Sequence, residues 1–391
     1  MPPQTFSRRA FLGSAIAATA SAPVIANPPE IRITGFGFLR LRYPERMPVK
    51  RNATIRSGGG RAEMTQLELY TDGGLVGRSL PKSSGLIEGL FHRVKGENPF
   101  YVERIWDRMY RGNRKPVAKG AYIEAMGSVD IAVWDIIGKA LGMPVYQVLG
   151  AHADRLRVYA AGGYYRDDKT TADLVAEMEG YVEEGFRAVK MKVGGEPMRV
   201  DEERVRAVRH AIGPDVDLLL DANNRWAPYE AIRFGRMVEQ YEPFWFEEPV
   251  VADDFQGCAE VKHALDIPIV AGENEYTRWG TRDLIEHRSC DILNLDTVKA
   301  GGITEHRKIS ALASAYHIPV SPHGSPHMAS HLLASTPNAL IMETYPGVQS
   351  RYNPALPLYP VEDGYITMPQ KPGLGIDPDP EMVKKYKVED R

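Results

Sequence analysis

Phe244-Trp245-Phe246-Glu247-Glu248-Pro249 is the stretch on which the fold turns. Aromatic residues that run into an acidic pair and are stopped by proline read as a buried strand reaching the rim of its sheet. Asp221, after Leu218-Leu219-Leu220, lies 26 residues before Glu247, and Glu273, after Ile269-Val270-Ala271-Gly272, lies 26 residues after it. A period of that length holds about one strand, one helix and two short loops. The units continue on both sides. Lys190-Met191-Lys192 ends a strand before Asp221, Asp296 closes Ile292-Leu293-Asn294-Leu295, His323 closes Ile318-Pro319-Val320-Ser321-Pro322, and Glu343 closes Leu340-Ile341-Met342. With Val158-Tyr159-Ala160-Ala161 in front, the chain has eight successive strands for a parallel barrel, whose chemistry belongs at the C-terminal strand ends.

Outward from the barrel, residues 1–26 read as an export segment. Ser7-Arg8-Arg9-Ala10-Phe11-Leu12 carries a twin arginine followed by Phe-Leu, and small apolar residues lead to Ala20-Ser21-Ala22, a cleavage pattern. The segment is too short and too alanine-rich to remain in a bilayer as an anchor, so no stable membrane insertion is expected. A twin-arginine route implies export of a folded, metal-loaded protein, with the periplasm as destination. The net charge of −3 becomes −5 without Arg8 and Arg9, and nothing in the composition suggests nucleic acid. The two cysteines, Cys258 and Cys290, are expected as unpaired buried thiols, with a disulfide in an oxidising compartment as the alternative.

Residues 27–150 form a different kind of unit. Ile31 to Leu41 and Met64 to Tyr70 alternate as strands, the second meeting the turn signal Thr71-Asp72-Gly73-Gly74. Between them a loop from about Tyr43 to Arg61 carries Arg46, Lys50, Arg51, Arg56 and Arg61 against the single acid Glu45, and would attract an anionic substrate. Ala121 to Leu141 has helical spacing and ends at Gly142 and Pro144. Barrel residues 151–344 follow. The proline-rich segment 345–391 no longer shows strand-helix units and is expected to pack back on the N-terminal sheet.

The chemistry follows from residue types. Carboxylates at adjacent strand ends repel one another unless a cation lies between them. Asp221, Glu247 and Glu273 are therefore the expected metal ligands, and an all-oxygen set suits Mg²⁺ first and Mn²⁺ second. Lys190 and Lys192 share one side of their strand, and charged groups inside a barrel are costly unless used. His323 faces them from another strand, with Asp296 placed to hold its imidazole. His323, His327 and His331 have helical spacing, but Pro322 and Pro326 interrupt the helix start and no HExxH pattern exists, so a zinc site is rejected.

These residues, in order, resemble the enolase superfamily and its mandelate racemase subgroup. The resemblance runs from Asp130-Ile131-Ala132-Val133-Trp134-Asp135 and Gly138-Lys139-Ala140 through Val189-Lys190-Met191-Lys192, Asp221-Ala222-Asn223, Glu247-Glu248-Pro249 and Gly272-Glu273-Asn274. It continues through Asp296 with Lys299-Ala300-Gly301-Gly302, then His323 and Glu343. It implies an α/β fold, a (β/α)7β-type modified TIM barrel with an α+β capping domain built from the N-terminal part and the C-terminal tail. It also implies a Mg²⁺-held substrate carboxylate, loss of the adjacent proton and an enediolate. Carried over by position, Lys192 is one base and His323, supported by Asp296, the other. Lys190 would lie against the carboxylate and lower the basicity of Lys192. Glu343 would be a protonated acid donating to a carboxylate oxygen, and Asn223 a polar neighbour of metal and substrate. The expected partner is a small carboxylate substrate, and relatives' even-numbered homo-oligomers are the analogy for assembly. Dehydration of an aldonic or aldaric acid is the favoured outcome. Mandelate-type racemisation and cycloisomerisation of a sugar acid are the alternatives, and an exported sugar-acid binding protein is the alternative of another class.

Overall fold

The structure, a computed structural model, describes residues 30–112, 119–346 and 354–388. The expected export segment lies outside the described residues. From Ile31 onward the chain forms one compact unit.

The cap begins as a three-stranded antiparallel sheet of β1 (Ile33–Arg46), β4 (Arg61–Thr71) and β5 (Val76–Ser79) in the order β1-β4-β5. Alternation places Leu39, Leu41 and Tyr43 in the core and leaves Arg40 and Arg42 exposed, the signature of a sheet buried on one face. That face packs on the helix Ala121–Leu141. The approach is close: a β-carbon at Gly77 would sit 2.2 Å from the Ala132 carbonyl oxygen, so glycine is required there. The helix ends as its sequence implies, with Gly142 in the left-handed region and the Met143 N–H donating to the Gly138 carbonyl at 2.9 Å. It is buried on nearly all sides because sheet and barrel both cover it. Asp130 and Asp135 inside it serve packing: Asp130 accepts from the Thr304 N–H and hydroxyl, and Asp135 from the Arg78 and Leu374 N–H groups.

The segment expected as a loop from Tyr43 to Arg61 is more ordered than that. β1 runs on to Arg46, and β2 (Lys50–Arg51) pairs with β3 (Arg56–Ser57) as a small hairpin. Gly58, at φ 92°, lets the chain pass Pro48, whose carbonyl oxygen lies 2.0 Å from where a β-carbon would stand. Arg51 and Tyr165 exchange both backbone hydrogen bonds, at 2.9 and 3.0 Å, which docks the hairpin on the barrel.

The barrel strands are β6 (Arg155–Ala161), β7 (Ala188–Lys192), β8 (Asp217–Asp221), β9 (Trp245–Glu247), β10 (Ile269–Ala271), β11 (Ile292–Leu293) and β12 (Met342–Thr344). They run parallel in the order β11-β10-β9-β8-β7-β6-β12. The expected strand 318–322 occupies the gap between β11 and β12. Single parallel bridges join Leu293 to Val320 and Val320 to Ala339, because Pro319 and Pro322 have no N–H for a regular ladder. Tyr159, Ala188, Leu219, Trp245, Val270, Ile292 and Ile341 fill the interior. Cys258 and Cys290 are free and buried. The tail divides its contacts. β13 (Tyr365–Thr367) pairs antiparallel with β6, whereas Leu374 and Ile376 join the cap core and the Gln66 amide donates to the Ile376 carbonyl at 2.7 Å.

Candidate active site

Side-chain parity sets the site. The interior residues Ala188, Leu219, Trp245 and Ile341 are each followed two positions later by a charged residue at the strand end: Lys190 and then Lys192, Asp221, Glu247 and Glu343. Register aligns them, since Lys192 pairs with Asp221 and Asp221 with Glu247. Glu247 pairs with Val270 on β10, so Glu273 stands three residues further along. The equal spacing of 26 residues thus yields two carboxylates at one level and a third nearer the mouth, because Gly272 bends the chain at φ 128°.

The lysines lie among these acids. The Lys190 ammonium is 2.8 Å from Glu343, 3.0 Å from Glu247 and 3.6 Å from Asp221, and also donates to the Tyr159 hydroxyl at 3.3 Å. Lys192 is ion-paired with Asp221 and lies 5.0 Å from the Tyr164 ring centre. Burial and the Lys190 charge would lower the basicity of Lys192, but the attached Asp221 carboxylate outweighs them and raises it. Glu343 Oε2 accepts from the Gly324 N–H at 2.7 Å and the Tyr345 hydroxyl at 2.6 Å. Burial raises its pKa, but Lys190 and His323 hold the carboxyl well below the usual range.

Asp296 and His323 form the second centre. Asp296 Oδ1 accepts from the Val298 and Lys299 N–H groups at 3.0 Å, and its Oδ2 accepts from His323 Nδ1 at 3.0 Å. Lys82, arriving from the cap, donates to the same Oδ2 at 2.6 Å. Burial opposes ionisation of Asp296, yet the hydrogen bond from His323 and the Lys82 charge hold it well below the usual carboxylate range. A carboxylate only accepts, so Nδ1 of His323 carries a proton and Nε2 faces inward, 3.4 Å from Glu273 and 3.8 Å from Glu343. Burial disfavours the imidazolium, but Glu273, Glu343 and Asp296 push His323 up to about 9.

Whether the acids fit a metal ion can be tested on their surroundings. Among the described residues no three acids, histidines or cysteines converge as a metal cluster; ammonium groups stand between the carboxylates. The donor chemistry nevertheless fits a hard cation. Asp221 and Glu247 are fully buried side by side, and burial together with Asp221 pushes Glu247 up to about 8 even with the Lys190 ammonium beside it, so the pair would gain from further positive charge. The Asn223 side-chain oxygen, two residues beyond Asp221, is buried without a hydrogen-bond partner. Asp221, Glu247, Glu273 and this oxygen make an oxygen-only set suited to Mg²⁺ or Mn²⁺.

Residues 41–150 match the mandelate racemase/muconate lactonizing enzyme N-terminal domain, and residues 173–382 match the enolase C-terminal domain-like family. The chain belongs to the mandelate racemase/muconate lactonizing enzyme family of the enolase superfamily. Like its family, it is an enzyme. Among the family's proteins it is 31% identical over 326 residues to an arabinonate dehydratase of Saccharolobus solfataricus, a match covering 80% of this chain and 87% of that one. It is 33% identical over 315 residues to a D-galactarolactone cycloisomerase of Agrobacterium fabrum, covering 75% and 82%. The crystal structure of an L-talarate dehydratase from Polaromonas sp. JS666, complexed with Mg and L-glucarate, superposes with a TM-score of 0.80 at 27% identity, over 92% of this chain and 98% of that one.

Several site residues have no signal in the strand pattern. Lys82 lies in the cap, far from Asp296 in sequence. Asn294 is the exception: it donates to Glu247 at 2.8 Å from just beyond β11, and parity from the interior residue Ile292 could have found it. Tyr164 and Tyr345 follow strand ends and read as loop residues. His327 and His331 sit, as expected, on the helix Pro326–Ala334, bound to backbone groups of Pro357, Tyr146 and Leu374. Among the described residues no helix is long and apolar enough to cross a membrane.

Proposed function

We propose that this enzyme removes the proton α to the carboxylate of an acid sugar and expels the β-hydroxyl as water, giving a 2-keto-3-deoxy acid. The observation that carries this reading is the pairing of two proton-transfer centres in one buried mouth, Lys192 on β7 and His323 held by Asp296 on the far side of the ring. Lys192 accepts the α-proton. Lys190, fixed by Glu247 and Glu343, offers positive charge to a carboxylate oxygen as negative charge builds there. The imidazolium form of His323 delivers its Nε2 proton to the departing hydroxyl, and Asp296 keeps the opposite nitrogen protonated. Asp221, Glu247 and Glu273 would hold Mg²⁺, with Mn²⁺ as a substitute, and Asn223 would stand beside metal and substrate. When bound, the cation supplies charge that offsets the second negative charge of the deprotonated acid and relieves the carboxylates that now keep both lysines protonated.

Sugar-acid dehydratases and the talarate dehydratase bound to Mg and L-glucarate support this reading. Cycloisomerisation is the second reading, favoured by the cycloisomerase at comparable identity and served by the same two centres. The Arg8-Arg9 segment supports a periplasmic location. Incubation with Mg²⁺ in D₂O over a panel of aldonic and aldaric acids tests the reaction. Loss of water to a 2-keto product is expected; α-deuteration with no loss of water indicates racemisation, and unchanged protonated acids throughout would refute proton abstraction.

A further inference from the structure

Five basic residues lie on the hairpin segment of the cap, and the structure separates them. Arg51 is ion-paired with Glu196, Arg56 with Asp167 at 3.1 Å, and Arg46 donates to the hairpin's own Gly59 carbonyl. Arg61 is exposed at the start of β4. Lys50 differs. Its ammonium lies 3.6 Å from the centre of the Tyr164 ring, it is half-buried, and among the described residues no carboxylate lies within ion-pair distance of it.

Lys50 also lines a cavity of about 510 Å³ with Ala161, Gly162, Tyr164, Lys169 and Pro346. Ala161 ends β6, and Pro346 follows β12, the strand beside it, so the cavity stands over that seam of the barrel mouth. The other basic groups on its wall are matched by acids that line it too, Arg166 with Asp168 at 2.5 Å and Lys169 with Glu177, while Asp173 on the same wall accepts from the Thr170 N–H and hydroxyl. Lys192 lies 5.0 Å from the same Tyr164 ring that carries Lys50 at 3.6 Å. The two ammonium groups are therefore no more than 8.6 Å apart, the sum of those distances.

We infer that Lys50 recognises a second anionic group at the far end of the substrate, which makes the substrate a sugar diacid rather than a monoacid. The inference rests on the reading of Lys192 as the group facing the α-carbon. In a six-carbon diacid the α-carbon and the far carboxyl carbon are about 5 Å apart along four C–C bonds. A molecule whose reacting carboxylate lies toward Asp221, Glu247 and Glu273 would then extend past Lys192 into the cavity above β6 and β12 and bring its far carboxylate to Lys50. Burial, followed by the Lys192 charge, lowers Lys50 to about 8, and the more distant Glu177 and Glu343 offset only part of this. Tyr164 is the shared wall. Its ring face attracts both cations and holds the Lys50 stem against the mouth.

The test compares a six-carbon aldarate with the aldonate of the same configuration, using the full-length metal-loaded enzyme and its Lys50→Met and Lys50→Arg variants. In Lys50→Met the ratio of kcat/KM for diacid over monoacid falls at least tenfold, mainly through KM, and Lys50→Arg keeps part of the preference. Calorimetric titration of the diacid, which needs no turnover, shows the same loss of affinity. Equal effects on diacid and monoacid, or none on either, would overturn the role of Lys50. α-Proton exchange in D₂O reads the underlying reaction separately: exchange with unchanged diacid preference in Lys50→Met sinks only Lys50, whereas diacid binding that depends on Lys50 without exchange on any acid sinks only the proposed reaction.

Discussion

Replacing Asp296 by asparagine should silence His323 while leaving the rest of the site in place. The Asp296 carboxylate takes four hydrogen bonds, two on Oδ1 from backbone N–H groups and two on Oδ2 from His323 and Lys82. An asparagine keeps its carbonyl oxygen toward the Val298 and Lys299 N–H groups, because an NH₂ there would face two donors. Its NH₂ then faces Nδ1 of His323 and the Lys82 ammonium. Nδ1 must become an acceptor, so the proton moves to Nε2 and the imidazole is neutral. Such a ring is neither a base nor an effective acid toward the centre of the mouth. A histidine held in the wrong tautomer loses activity by roughly 10⁴-fold in the comparable triad substitution, and a fall in kcat of that scale is expected for dehydration here. Stability falls by about 2 kcal/mol for the charged hydrogen bond to His323 and up to about 1 kcal/mol for the half-exposed Lys82 contact. Lys82→Met added to Asp296→Asn should restore most of the second increment, since it removes the ammonium facing an amide. Single-turnover kinetics, α-proton exchange in D₂O and urea unfolding of the single and double variants provide the readouts. Exchange at an α-carbon facing Lys192 should fall far less than elimination. A kcat within tenfold of wild type would refute the tautomer argument.

Other outcomes follow from the same geometry. Adding Mg²⁺ to chelator-treated protein should raise the melting temperature, and Glu247→Gln should remove most of that increase; an equal rise in the variant would move the metal away from β9. His331 accepts from the Tyr146 N–H at Nδ1 and donates from Nε2 to the Leu374 carbonyl, which fixes a neutral ring. Burial lowers it from 6.5 to about 4. Its contribution is therefore present above pH 6.5 and is lost as pH falls through 4, costing about 3 kcal/mol over that window. Urea unfolding at pH 7, 5 and 4 should show a shallower acid decline for His331→Gln than for wild type, and parallel declines would count against it. Changing both Arg8 and Arg9 to lysine should retain the protein in the cytoplasmic fraction when it is expressed in a host with a twin-arginine pathway, whereas unchanged periplasmic recovery would argue for another route.

The barrel, the cap and the charged strand ends were legible in the amino-acid sequence because each depends on local order. A strand alternates its side chains with period two, so Lys190 and Lys192 share a face wherever the strand lies. The strand-helix unit has a characteristic length, so acids at strand ends recur. The glycine and proline after Leu141 end a helix through their own backbone limits. Tertiary structure alone decided which charges meet. Register put Asp221 against Glu247 and left Glu273 three residues nearer the mouth. The Lys190 ammonium, acting against burial, holds the Glu343 carboxyl below the usual carboxylate range. The docking of the cap brought Lys82 to Asp296 and set Lys50 over Tyr164, apart from the other hairpin cations. Side-chain reach and desolvation act through space, so residues distant in sequence determine protonation and pairing, and no local pattern encodes them.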